Sequence, residues 1–151
     1  MKFGHKRLQE FKALFNDITE FLAQYVWFFR EEIKRKHILE LSAGTALPGI
    51  VASKCNAASV TLSEHILSPN YFDDIFVTLS YILEKNDKCE IWCTYQIRST
   101  DKSLVYHLEQ WNLACVYIPL SSFEANGPCV ADSNYPGNHT IEMLKIFKKN
   151  T

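Results

Sequence analysis

The stretch His37-Ile-Leu-Glu-Leu-Ser-Ala-Gly-Thr-Ala-Leu-Pro-Gly-Ile-Val-Ala-Ser-Lys-Cys-Asn-Ala-Ala-Ser-Val-Thr-Leu-Ser-Glu64 decides the fold of this 151-residue chain. Ile38, Leu39 and Leu41 suit a central strand buried on both faces. Glu40 interrupts them near the strand's C-terminal end, where ligands bind in open α/β sheets. Gly44 can take a positive φ without steric cost and marks a tight turn. Pro48 fits the first turn of a helix, where its missing N–H would have no partner. Ile50, Val51 and Cys55 follow as an apolar stripe at helical spacing. Ala57 and Ala58 make a compact turn, Val60 to Leu62 form the next strand, and Glu64 ends it. Strand, glycine turn, helix, strand and acid in that order are the first half of a nucleotide-cofactor site. The turn's N–H groups meet a polar ligand at a helix N-terminus, and the acid accepts ribose hydroxyls. The same order without a ligand is an ordinary βαβ unit, and these residues alone leave both readings open.

Outward from that unit the chain reads as one domain over residues 1–151. Residues 1–36 hold two helices, residues 37–64 the βαβ unit and residues 65–151 a C-terminal half. Phe3, Leu8, Phe11, Leu14 and Phe15 space a first amphipathic helix. Asp17 and Glu20 have capping-box spacing for a second, which carries Ile18, Phe21, Leu22, Tyr25, Val26 and Phe29 and ends near Arg35. That helix is more apolar than a surface position requires, so it is expected to cover the sheet. The C-terminal half reads as a helix over Tyr71–Leu83, a strand over Cys89–Tyr95, a helix over Ser103–Asn112 and strands over Leu113–Ile118 and Thr140–Phe147. Ser121 to Asn138 is polar and turn-rich, with breakers at Asn126-Gly-Pro128 and Pro136-Gly137.

Composition narrows the partners. The net charge of −1 leaves no phosphate-neutralising surplus, which argues against direct nucleic-acid binding and against capture by an anionic membrane. Lys34 to Lys36 sit where a helix ends, and cations there oppose its negative dipole end. Lys2 to Arg7 is basic, but the apolar residues behind it are spaced as an amphipathic helix rather than as a secretory signal. The aromatic region Phe21–Phe29 is too short and interrupted to span a bilayer. Five cysteines, Cys55, Cys89, Cys93, Cys115 and Cys129, predict reduced thiols in the cytosol or nucleus, where the Asn138 sequon has no consequence. No metal site is expected: Cys89 and Cys93 in one strand would lie about 13 Å apart along the chain, too far for one ion.

The residues Glu40 to Gly49 resemble the first motif of the class I S-adenosylmethionine-dependent methyltransferases, Glu-Leu-Gly-Ala-Gly-Thr-Gly-Leu-Pro-Gly, with two changes. Within that class the chain is most similar to the methyltransferase-like proteins that methylate protein side chains. Leu22 to Phe28, Trp92 to Ser99, Ile118 to Phe123 and Pro136 to Leu144 carry the resemblance to both ends of the sequence. It implies an α/β fold, a truncated Rossmann-like methyltransferase sheet flanked by helices with an antiparallel last strand. It implies S-adenosylmethionine as cofactor, with Gly44 and its neighbours Ser42 and Thr45 at the methionine part, Glu40 at the amino group and Glu64 at the ribose. It implies transfer to a protein arginine, with histone H3 as partner, by a monomer of the nucleus and cytoplasm. No catalytic residue is assigned; Tyr95, Gln96 and Arg98 are what remains near the site after the fifth strand of the family.

Three departures stand against the family pattern. Ser42 and Ala46 replace glycines, each adding a Cβ where backbone approaches the cofactor. Only His65 to Lys88 separate Glu64 from Cys89, which is too little for the third and fourth strands of the family. Phe15-Asn-Asp-Ile18 replaces an aromatic-proline helix entry. With those strands gone, Cys89–Tyr95 is expected to pair with Ile38–Leu41, giving sheet order second, first, fifth, last, sixth, with the Tyr71–Leu83 helix on the face opposite the Leu47–Cys55 helix. Two functional readings stay open: an active protein methyltransferase with a shortened cofactor domain, or an inactive truncated form or pseudo-enzyme acting, if at all, through binding.

Overall fold

The computed structural model describes residues 17–63, 72–96, 104–127 and 141–149. The expected Phe3–Phe15 helix, Glu64, Arg98, Cys129 and the Asn138 sequon lie outside them. In chain order the elements are α1 (Asp17–Phe28), α2 (Arg30–Ile33), β1 (His37–Leu41), α3 (Leu47–Lys54), β2 (Ser59–Ser63), α4 (Phe72–Lys85), β3 (Ile91–Gln96), α5 (Leu104–Gln110), β4 (Leu113–Ile118), a 3-10 turn (Leu120–Phe123) and β5 (Ile141–Lys148). The architecture is α/β: a small parallel sheet and a three-stranded antiparallel sheet, flanked by helices. Element ends fall within about two residues of the sequence expectation, the usual spread at a frayed boundary. One helix differs in kind. The helix expected to run on to Arg35 stops at Phe28, and Phe29 takes φ −95° and ψ 29° before a single further turn.

The antiparallel sheet has the order β3-β5-β4, with β5 at its centre. Alternation along β5 sends Ile141 and Met143 to one face and Leu144 and Ile146 to the other. Helix α4 supplies Phe76, Leu79 and Leu83 at spacings of three and four, and α5 supplies Leu104 and Leu108. Together with Leu113 they close over Leu144 and Ile146. On the opposite face α1 lays Phe21 and Tyr25, one turn apart and each 1% exposed, against Phe123, Ala125, Ile141 and Met143. Burying a side chain of that size contributes about 2–3 kcal/mol before entropy is counted.

The parallel sheet pairs β1 with β2 in the register Ile38↔Val60 and Glu40↔Leu62. Helix α3 covers one face. Its buried residues are Pro48, Gly49, Ala52 and Cys55, while Ile50 is 51% exposed. Of the stripe read as Ile50, Val51 and Cys55, Cys55 is buried and Val51 packs against the same cluster, while Ile50 points outward; Pro48, Gly49 and Ala52 complete the seat and let the helix backbone come close to the strands.

The expected continuous sheet is not formed. Among the described residues β1 pairs with β2 alone, and β3 pairs with β5 alone. Side chains join the two sheets where a ladder was expected. Val26 of α1 and Ile33 of α2 pack with Ala52 and Cys55, and Trp92 of β3 reaches both this cluster and the Phe21–Tyr25 cluster. Tyr25 meets the Trp92 ring edge-on at 4.8 Å. Trp92 Nε1 donates to Glu90 Oε2 at 3.3 Å, and Lys145 Nζ lies 3.6 Å from the same oxygen and 5.4 Å from the Trp92 ring centroid. The Trp92 side chain thus links the two clusters. Helix α4 packs with α5 on the face of the antiparallel sheet opposite α1, whereas α3 packs on α1. The expected opposition of the two crossover helices is present, without the joined sheet.

Candidate functional site

The site grows from the end of β1. After Leu41 the Ala43 N–H donates to Ser63 O at 2.9 Å, extending the β1–β2 pairing by one bond. The chain then turns sharply. Ser42, Gly44 and Ala46 take φ values of +57°, +48° and +57°. These are three of the four positions at which the family motif carries glycine; the fourth is Gly49. The Ala46 N–H donates back to Ala43 O, and Ile50 N–H donates to Ala46 O as the first bond of α3. The N–H groups of Gly44, Thr45 and Leu47 make no hydrogen bond among the described residues. Alternating left-handed residues that leave N–H groups open make a concavity suited to an anion.

Glu40 stands beside this turn, half-buried. Its Oε2 accepts the Gly49 N–H at 2.8 Å, which caps the N-terminus of α3 from outside the helix. Burial pushes the Glu40 carboxyl above its ordinary value, and the Gly49 hydrogen bond works against that rise. Among the described residues no cation forms an ion pair with Glu40. The second oxygen makes no hydrogen bond among the described residues and is not sealed from solvent. Thr45 Oγ1, by contrast, is buried with no partner there.

Four of the five residues expected at the site, Glu40, Ser42, Gly44 and Thr45, therefore lie on one turn, and Glu64 lies outside the described residues. The site's donor set is one carboxylate oxygen free to accept and three N–H groups free to donate. That set fits a zwitterion, and the amino-acid end of S-adenosylmethionine is one.

No family model matches the chain. Individual proteins do. The chain is 36% identical over 175 aligned positions to the histone-arginine methyltransferase METTL23 of Homo sapiens, covering 83% of this chain and 92% of the human protein. Against the protein of the same name in Mus musculus it is 34% identical over 174 positions, with 83% and 69% covered. Against that of Xenopus laevis it is 30% identical over 174 positions, with 83% and 74% covered. The chain belongs to the METTL23 methyltransferase family.

Alignment to the METTL23 family also measures what is missing. An alignment of 175 positions is longer than the 151-residue chain, and 83% of 151 is about 125 residues. About fifty positions of the human METTL23 protein thus have no counterpart here, a deficit of the size that two strands and their connections require.

Elsewhere the structure adds little to the METTL23-type site. Tyr95 packs against the Leu144–Ile146 cluster, and Gln96 ends β3. An open hollow of about 300 Å³ is lined by Cys89, Glu90, Ile91, Lys145, Ile146 and Phe147 and shares no residue with the turn. Its shape is shallow and its residues belong to the β3–β5 ladder, so the donor set at Glu40 outweighs it as a ligand site. Cys89 lies before β3 rather than in it, and burial pushes the Cys93 thiol up to about 11. No helix among the described residues is long and apolar enough to cross a membrane.

One residue of the site escaped the sequence reading. Gly49 sits where a Cβ would meet Glu40 Oε2 at 2.5 Å, Leu62 Cδ2 at 2.6 Å and Val60 Cγ1 at 3.1 Å. The available signal was a glycine inside a short helix, which costs about 1 kcal/mol relative to alanine and so needs a packing reason.

Proposed function

We propose that this chain binds S-adenosylmethionine at the Glu40–Ala46 turn and transfers its methyl group to a protein arginine, with histone H3 as acceptor. The observation that carries the reading is the turn itself. It keeps the glycine-type backbone at Ser42, Gly44 and Ala46 although two of the three carry side chains. Such a conformation costs about 1–2 kcal/mol at each non-glycine residue. The names of the METTL23 relatives support the arginine acceptor.

In this reading Glu40 would take the ligand's ammonium, which offsets the penalty of its burial. The open N–H groups of Gly44, Thr45 and Leu47 would take the carboxylate, and Glu64 the ribose hydroxyls. Ser42 shapes the turn through its backbone. When bound, the cofactor would supply an electrophilic methyl carbon on a sulfonium to the acceptor's guanidino nitrogen. The protein's part is to hold the two in line. A histone acceptor is consistent with work in the nucleus.

A second reading, a binding protein without transferase activity, is favoured by one observation: the sheet is divided, and among the described residues β1 lacks a partner on one side. Calorimetric titration with S-adenosylmethionine, paired with mass spectrometry of histone H3 after incubation, separates the two. Saturation and methylated H3 arginine support the enzyme. Saturation without methylation leaves the binding protein. An absence of binding removes the cofactor from both. A bound ligand at about 100 times its Kd also raises stability by about 2.7 kcal/mol, which a thermal shift reads.

A further inference from the structure

We propose that Gly49 is a positioning residue for Glu40: its missing side chain seats α3 against β1 and β2 so that its N–H fixes one carboxylate oxygen and leaves the other for a ligand's cationic group. The inference rests on the cofactor reading above and goes beyond it in assigning what holds the carboxylate.

The geometry is specific to this residue. Gly49 is the third residue of α3, where a helix N–H has no intrahelical partner and a carboxylate is a strong acceptor. Glu40 comes from the strand beneath, and its Oε2 lies 2.8 Å from that N–H. The same oxygen would stand 2.5 Å from a Cβ on residue 49, closer than any real contact. Helix and carboxylate therefore meet in this arrangement through a glycine. A side chain here would push Glu40 aside or lift the helix off Val60 and Leu62, and in either case the free oxygen would lose its fixed place beside the turn. Nothing else holds it: among the described residues Glu40 makes no other hydrogen bond and no ion pair.

Lifting of the helix and displacement of Glu40 are separated by a second substitution. Leu62→Ala removes the Leu62 atom that would stand 2.6 Å from the new methyl of Gly49→Ala and gives α3 room on the sheet side, while the clash with Glu40 remains. Leu62 is 46% exposed, so its truncation is tolerable. The full chain is compared as Leu62→Ala and as Leu62→Ala/Gly49→Ala. The probes are S-adenosylhomocysteine, which has the amino-acid end, and 5′-methylthioadenosine, which lacks it. Loss of a charge-assisted contact predicts about 10- to 100-fold weaker S-adenosylhomocysteine binding in the double variant. Methylthioadenosine binding stays within about twofold, which a merely structural loss would not allow. An equal loss for both probes, or no loss for either, overturns the proposal. If the unsubstituted chain binds neither probe, the cofactor reading fails, and the positioning claim is then decided by NMR. The Gly49 amide proton must follow the titration of Glu40 and cease to do so in Glu40→Gln. An amide shift indifferent to Glu40 overturns it.

Discussion

Replacing Ala46 by glycine should stabilise this protein, although glycine in a helix interior usually does the opposite. Ala46 holds φ at +57°, a left-handed conformation that costs an L-residue with a Cβ about 1–2 kcal/mol. Glycine removes that cost but widens the unfolded ensemble, which returns about 0.4–1 kcal/mol. The net gain is about 0.5–1 kcal/mol. At this chain length it corresponds to a rise in Tm of about 1–4 °C. The same turn carries its own control. Gly44 sits at φ +48°, and a Cβ placed there meets nothing closer than Ser42 O at 3.9 Å, an ordinary contact. Gly44→Ala therefore isolates the conformational cost without a clash and should lower stability by about the amount that Ala46→Gly raises it. Urea unfolding of both variants with a shared m-value measures the pair. A neutral or destabilising Ala46→Gly beside a harmless Gly44→Ala would show that the turn is not strained, and the main support for a retained ligand site would go with it.

Glu40→Gln should change the pH dependence of stability. The Glu40 carboxyl is raised above 4.5 by burial, so the folded state favours its protonated form. Its contribution is fullest below about pH 4.5 and is lost as pH rises through the folded value. Relative to the parent, the glutamine variant should gain stability at pH 7 over pH 4; an unchanged difference across that window contradicts the buried charge. Trp92→Ala, at the joint between the sheets, should cost about 2–4 kcal/mol and lower the urea midpoint accordingly; a cost under about 1 kcal/mol would mean the sheets are held otherwise. Leu39→Lys should cost less than about 1 kcal/mol, because Leu39 is 51% exposed in β1. A loss of several kcal/mol would place Leu39 inside a covered sheet.

Local patterning made the elements legible. Leu113–Ile118 is a strand with the bounds its apolar run suggests, and the α4 residues Phe76, Leu79 and Leu83 face the core at the spacing a helix requires. Pairing between distant strands was not legible. The residues of β1 and β3 identify them as strands, but nothing in either names its neighbour once the intervening segment is shortened. Side-chain contacts join the sheets instead, with Trp92 packed against two clusters and Leu41 of β1 against a third. At the site, the order of strand, turn and helix located Glu40, Ser42, Gly44 and Thr45 together. The tolerance of Ser42 and Ala46 for left-handed backbone was hidden, because substitution of a glycine announces a changed conformation and here the conformation is kept. Gly49 was hidden for the opposite reason: a close approach is a property of two elements, and the helix sequence shows only one of them.

The central place of β5 in the antiparallel sheet has a consequence for synthesis. Both β3 and β4 pair only with β5 among the described residues, yet β5 occupies residues 141–148. A growing chain therefore makes the two outer strands well before the strand that joins them. The β1–α3–β2 unit can form early from contacts between near neighbours, while Ile91–Gln96 and Leu113–Ile118 wait on the ribosome with their backbone groups open. Leu113–Ile118 carries no charge and no proline, so during that interval it is the segment a chaperone would have to shield.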